Sequence, residues 1–174
     1  MNSKRYIAMT ELFIKKLHRE DLPLLFSLNQ YNDPKDMLLK NGALLGRGAA
    51  GFYGLFSGTE LIGEVRAKYE DEDPEIAFPG QRAYLYALRI RKEYRRRGLA
   101  AYLLESVMAE NKRNGYREFT IGVEDDNPAA ISLYQKLGFS IHVKRVQESY
   151  QGDAYEYSLL MRKEPNERYG SRVV

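Results

Sequence analysis

The chain has 174 residues, 44% of them hydrophobic and 29% charged, enough for one domain with its own core and little room for a second. A net charge of +3 is too mild to argue for general nucleic-acid binding, and the absence of cysteine excludes disulfides, thiolate catalysis and cysteine–zinc sites. The two histidines, His18 and His142, are far apart with no metal-ligand spacing around either; no apolar run approaches the roughly 20 residues that span a membrane, and residues 1–12 lack a signal-peptide core, so the cytoplasm is the expected compartment.

In chain order, residues 11–17 (ELFIKKL) predict a first strand. Asp21 offers an N-cap, with Pro23 early in the first turn, before LLFSL. Asp33-Pro34 repeats that start signal before KDMLLK, and Asn41-Gly42 supplies a stop; the glycines crowding 42–58 argue against helix there. GFYGLF (51–56), a Ser57-Gly58 turn and LIGEVRAKY (61–69) predict a β-hairpin. An acidic loop follows at 70–81, and then a Tyr- and Leu-rich strand at 82–90.

After Gly98 the apolar residues Leu99, Leu103 and Val107, with Ala100, Leu104 and Met108, repeat at i+4 and predict a helix that stops at Asn114-Gly115. EFTIGV (118–123) predicts a strand. Asn127-Pro128 opens a short helix ending at Gly138, and 139–147 pairs with 155–162 across the Gly152-Asp153 turn region. The strand–helix–strand units argue for a mixed α/β sheet within one domain, 1–163, followed by a polar tail, 164–174.

Chemistry is expected where a central strand meets a helix start. YRRRG (94–98) places Arg95, Arg96 and Arg97 at the positive end of a helix dipole, where carboxylates are better suited. An anion among them reverses that cost, and Gly98 lets a backbone approach a phosphate closely. The plainer reading is a solvated turn. Neither G-x-x-x-x-G-K-[ST] nor G-x-G-x-x-G is present, which argues against a nucleotide-hydrolysing loop and a dinucleotide fold.

Arg95-Arg96-Arg97-Gly98-Leu99-Ala100 resembles the R/Q-x-x-G-x-G/A element of the Gcn5-related N-acetyltransferases (GNAT). Asn127-Pro128-Ala129-Ala130, Leu133-Tyr134 and Leu137-Gly138-Phe139 resemble that family's second element. The resemblance covers about residues 84–140. It implies an α/β fold with a mixed, mostly antiparallel central sheet of six to seven strands flanked by helices. It further implies an acyltransferase that moves an acetyl group from acetyl-coenzyme A to a primary amine by direct attack in a ternary complex, without a metal.

By the same resemblance, backbone N–H groups from Arg95 through Arg96, Arg97, Gly98, Leu99 and Ala100 to Ala101 hold the pyrophosphate. Backbone groups of Leu88 and Ile90 hold the pantetheine arm, and Asn127 and Ala130 lie near it. Tyr134 protonates the departing thiolate. A phenol suits that role, being neutral at working pH with a pKa near ~10 against ~8.5 for a thiol. Read from the residues alone, Tyr134 is core packing on an apolar helix face, a reading compatible with catalysis, and Asn127 an N-cap for the helix from Pro128. Glu64, Glu124 and water are the alternatives for removing the amine's proton. Tyr53, Tyr69, Tyr84 and Tyr86 suggest an aromatic acceptor pocket or strand packing, and the acidic run Glu70–Asp73 a soluble loop.

Gly122 stands where the branch that acetylates a ribosomal protein commonly has a glutamate, so a small or flexible amine is the expected acceptor, with peptide amines open. A non-catalytic acyl-coenzyme A-binding module of the same fold is the alternative. A nucleic-acid binder using Arg89, Arg91, Lys92 and Arg95–Arg97 leaves 127–139 without a role, so no nucleic-acid or membrane partner is expected. The choice between monomer and homodimer is open.

Overall fold

The computed structural model describes residues 11–150 and 153–165, with side chains over 11–143 and 159–165. Residues 151–152 of the Gly152-Asp153 turn region and residues 166–174 of the polar tail thus lie outside the described residues. The strands are β1 (Leu12–Leu17), β2 (Ala50–Ser57), β3 (Glu60–Lys68), β4 (Arg82–Ile90), β5 (Glu118–Val123), β6 (Ser140–Tyr150) and β7 (Asp153–Lys163). The α-helices are α1 (Pro34–Gly46), α2 (Leu99–Arg113) and α3 (Pro128–Lys136), with 3-10 helices at Arg19–Ser27 and Lys92–Tyr94. The seven-stranded sheet has the order β1-β2-β3-β4-β5-β7-β6. It is mixed: β4 runs parallel to β5, whereas β1 with β2, β5 with β7 and β6 with β7 are antiparallel.

The chain forms two compact units. One takes the described residues up to Arg66 together with Ala87–Ser106; the other takes Ala67–Tyr86 and the described residues from Val107 onward. The first is built on a core of Leu17, Leu22, Leu25, Met37, Phe52, Phe56 and Leu61, against which Leu44 and Leu45 of α1 pack. Phe13 on β1 faces Phe56 across the strand pair, and the two rings stack at 5.2 Å. In the second unit Ile76, Ala77, Tyr84 and Leu160 form a buried cluster with Tyr86 packed against it. The acidic loop therefore also contributes core residues. Two of its carboxylates are bound locally, Asp71 pairing with Lys68 at 2.5 Å and accepting from the Asp73 N–H, and Asp73 accepting from the Glu75 N–H, whereas the Glu75 carboxylate accepts from Arg162 and meets His142, both at 2.5 Å.

Two helix boundaries differ from the sequence reading. The 3-10 helix at 19–27 starts after His18, and Asp21 lies inside its first turn. The Asp21 carboxylate reaches back to the His18 N–H at 2.9 Å and to Lys15 at 2.8 Å, so it still satisfies an otherwise unpaired donor, from three residues further on. Asn41-Gly42 does not stop α1, which continues to Gly46. Leu44 and Leu45 gain core burial by continuing the helix, and Gly48, at φ +72°, supplies the left-handed stop. The start is as read, with the Asp33 side chain accepting from the Asp36 N–H at 3.0 Å. Strands β6 and β7 are longer than predicted. Among the described residues no helix is long and apolar enough to cross a membrane.

Candidate active site

In the first unit, β4 ends at Ile90 and the chain enters α2 through Lys92–Tyr94 and a sharp turn. Arg96 has φ +62° and Gly98 φ +75°, two left-handed residues within three positions. Glycine adopts that conformation freely; an arginine does so only when its surroundings impose it. The surroundings here are the two neighbouring arginines. Arg95 donates from Nε to the Ile90 carbonyl at 2.9 Å, tying the turn to the strand end. Arg97 donates to the Glu93 carbonyl at 3.0 Å and lies 5.5 Å over the Tyr94 ring. Arg91 and Tyr94 both reach Glu60, at 2.6 and 3.2 Å. Two of the three arginines therefore brace the turn with their side chains.

The first intrahelical bond of α2 runs from the Tyr102 N–H to the Gly98 carbonyl at 3.1 Å. The N–H groups of Gly98, Leu99, Ala100 and Ala101 therefore have no acceptor within the helix. A Cβ on Gly98 would meet no atom within 4 Å, so the chain is uncrowded at the residue that opens the helix. That donor set, with the helix dipole behind it and Arg96 exposed beside it, fits a pyrophosphate. A cleft of about 270 Å³ lies alongside, lined by Ser27, Leu28, Arg89, Ile90, Lys92 and Arg95 among others.

Ala87 departs from regular strand geometry. The register of β4 with β5 runs from Arg82 to Leu85, and two residues later Ala87 takes φ +53° in mid-strand. Such a residue redirects the strand just ahead of Leu88 and Ile90. Alanine carries no sequence signal for this conformation.

Glu64 is fully buried. Its Oε2 accepts from Arg66 at 2.9 Å and its Oε1 from Arg89 at 2.6 Å. Arg66, 2% exposed, also donates to the Tyr31 hydroxyl at 2.8 Å and lies over the Phe52 ring. Both carboxylate oxygens are thus committed to guanidiniums. This polar cluster of Tyr31, Glu64, Arg66 and Arg89 joins residues that sequence spacing did not connect.

In the second unit, Asn127 caps α3, its side-chain oxygen accepting from the Ala130 N–H at 3.2 Å. Capping uses the carbonyl oxygen alone and leaves the side-chain NH2 with two donors to offer. Tyr134 lies on α3, 7% exposed, with its ring 6.1 Å from that of Phe139. Burial pushes its phenol up from the usual value to about 12. Glu124 follows β5 and is exposed, and Gly122 pairs with Leu160 of β7.

The four tyrosines divide between the two units. In the first unit Tyr53 is fully buried. In the second, Tyr84 is 1% exposed and stacks on Tyr86 at 5.8 Å, and Tyr69 donates to Asn111 at 2.7 Å. Packing accounts for Tyr53 and Tyr84.

The sequence profile described as the acetyltransferase (GNAT) family matches residues 12–139, most of the chain and all but the last two strands. The chain belongs to the GNAT family. N-alpha-acetyltransferase 30 of Schizosaccharomyces pombe is 39% identical over 80 residues, 45% of this chain and 53% of that protein. A mycothiol acetyltransferase of Geodermatophilus obscurus is 33% identical over 96 residues, 53% of this chain and 30% of that protein. The chain thus spans about half or less of the length of these relatives. Among solved structures, the PaiA N-acetyltransferase of Thermoplasma acidophilum, crystallised with coenzyme A, is similar over 88% of this chain and 99% of that one. Its TM-score is 0.65 at 22% identity, a likeness of fold.

Proposed function

We propose that the protein transfers an acetyl group from acetyl-coenzyme A to a primary amine in a ternary complex. The supporting observation is the turn at Arg96–Gly98, whose two left-handed residues lead into an α2 start with four N–H groups that have no acceptor within the helix. The N–H groups of Gly98–Ala101 bind the pyrophosphate, with Arg96 adding charge. The backbone of Leu88 and Ile90 holds the pantetheine arm, with the Asn127 NH2 group donating to it and Ala130 near it. Acetyl-coenzyme A supplies an acetyl group activated as a thioester.

In the reaction the amine nitrogen bonds to the acetyl carbon, the C–S bond breaks, and Tyr134 returns a proton to the leaving sulfur. Burial keeps the Tyr134 phenol protonated up to about 12. That also makes it a weaker acid, but the same apolar setting raises a buried thiol in the same direction. The proton lost by the amine leaves through water or the exposed Glu124; the two guanidiniums on Glu64 make it unsuited to that task. The acceptor class is a small amine or a protein N-terminus. The lack of a carboxylate at Gly122 favours the former, and the name of the fission-yeast relative favours the latter.

Arg96→Glu tests the phosphate assignment. An acid at this helix start suits the dipole, so Tm holds or rises slightly, while coenzyme A binding measured by calorimetry weakens by about tenfold or more. Unchanged affinity would remove the turn from the site.

A further inference from the structure

Gly63 sits in β3 among the buried residues Leu61, Ile62, Glu64 and Val65. A glycine inside a strand weakens it, and its usual compensation is a close approach by another backbone. That approach is present. The Ile62 carbonyl accepts from the Arg91 N–H at 2.8 Å and Glu64 meets Arg89 at 2.6 Å, which sets Gly63 beside Ile90. A Cβ on Gly63 would lie 2.7 Å from Ile90 Cδ1 and 2.9 Å from the backbone oxygen of Arg89. The isoleucine tip can swing away. The Arg89 carbonyl can move only by rotating the peptide that joins it to Ile90. Ala87, at φ +53°, constrains the same stretch from its other side.

We infer that Gly63 is a positioning residue for the cofactor strand: lacking a side chain, it lets the Arg89–Ile90 peptide take the orientation that presents the Leu88 and Ile90 backbone groups. This rests on the reading of Leu88 and Ile90 as the pantetheine-binding segment. Gly54 on β2 provides a control. A Cβ there meets side chains, Leu61 Cδ1 at 2.7 Å, Phe56 Cε2 at 2.8 Å and Leu17 Cδ2 at 3.1 Å. Its replacement strains the core without pressing on the β4 backbone.

The experiment compares Gly63→Ala with Gly54→Ala by Tm, by calorimetric affinity for coenzyme A, and by amide chemical shifts of Leu88–Arg91 in the protein alone. Both variants lower Tm. Gly63→Ala alone weakens coenzyme A binding by about tenfold or more, equivalent to ~1.4 kcal/mol, and moves the Leu88–Arg91 amides. Should Gly63→Ala fail to fold, the double variant Gly63→Ala/Ile90→Val removes the Cδ1 contact and keeps the carbonyl contact. It binds coenzyme A about tenfold more weakly than Ile90→Val alone. The inference is overturned if Gly63→Ala binds as the parent or as Gly54→Ala does, or if the double variant matches Ile90→Val. A parent that does not bind coenzyme A contradicts the proposed function instead; the amide shifts then decide the geometry, and unmoved Leu88–Arg91 amides overturn the inference by themselves.

Discussion

Tyr134 and Glu64 are both buried ionisable groups, and their surroundings give them opposite uses. Tyr134 is raised by desolvation, so it stays neutral and able to donate. Tyr134→Phe keeps the ring against Phe139 and removes the hydroxyl; kcat falls by about 10²–10⁴-fold with coenzyme A affinity nearly unchanged, measured where chemistry limits the rate. The raised phenol also sets a sign for stability. Between about 10 and 12 the unfolded chain has lost the phenolic proton and the folded chain retains it, so Tyr134 makes stability fall as pH rises through that window. Tyr134→Phe flattens that decline in urea titrations at high pH. Glu64, by contrast, balances Arg66 and Arg89. Glu64→Ala leaves an almost fully buried Arg66 without its carboxylate and costs about 3–5 kcal/mol. Were Glu64 the catalytic base, the same change would abolish turnover in a protein of parental Tm.

Element boundaries were legible where the chain carries an explicit terminator. Asn127-Pro128 and Gly138 bracket α3, Gly98 and Gly115 bracket α2, and β4 and β5 have the predicted limits. The end of α1 was not legible, because burial of Leu44 and Leu45 outweighs a local Asn-Gly stop. The site divides in the same way. The Arg95–Ala101 turn and α3 carry recognisable residues. The mid-strand conformation of Ala87 is imposed by tertiary packing and leaves no mark in the sequence, and the contact that makes Gly63 necessary comes from a residue 26 positions later. A left-handed alanine is strained, and a β-branched side chain there is more so. Ala87→Val therefore lowers stability by about 1–3 kcal/mol. By shifting Leu88 and Ile90 it also raises the KM for acetyl-coenzyme A more than it lowers kcat.

Taken together, the mixed seven-stranded sheet, the match over residues 12–139 and the donor-bearing turn place the chain among the GNAT proteins. Within the proposed function the acceptor is a small amine or a protein N-terminus. Gly122 provides neither a base nor an anchor for an N-terminal ammonium, although several relatives are named for acting on protein N-termini and others for acting on mycothiol. The most direct test is free-thiol release from acetyl-coenzyme A with a panel of small amines and N-terminal peptides, ranked by kcat/KM, with Tyr134→Phe run alongside. The account predicts amine-dependent thiol release with at least one acceptor, lost in large part in Tyr134→Phe. Tight coenzyme A binding with no thiol release from any amine would contradict it and leave a binding module of the same fold.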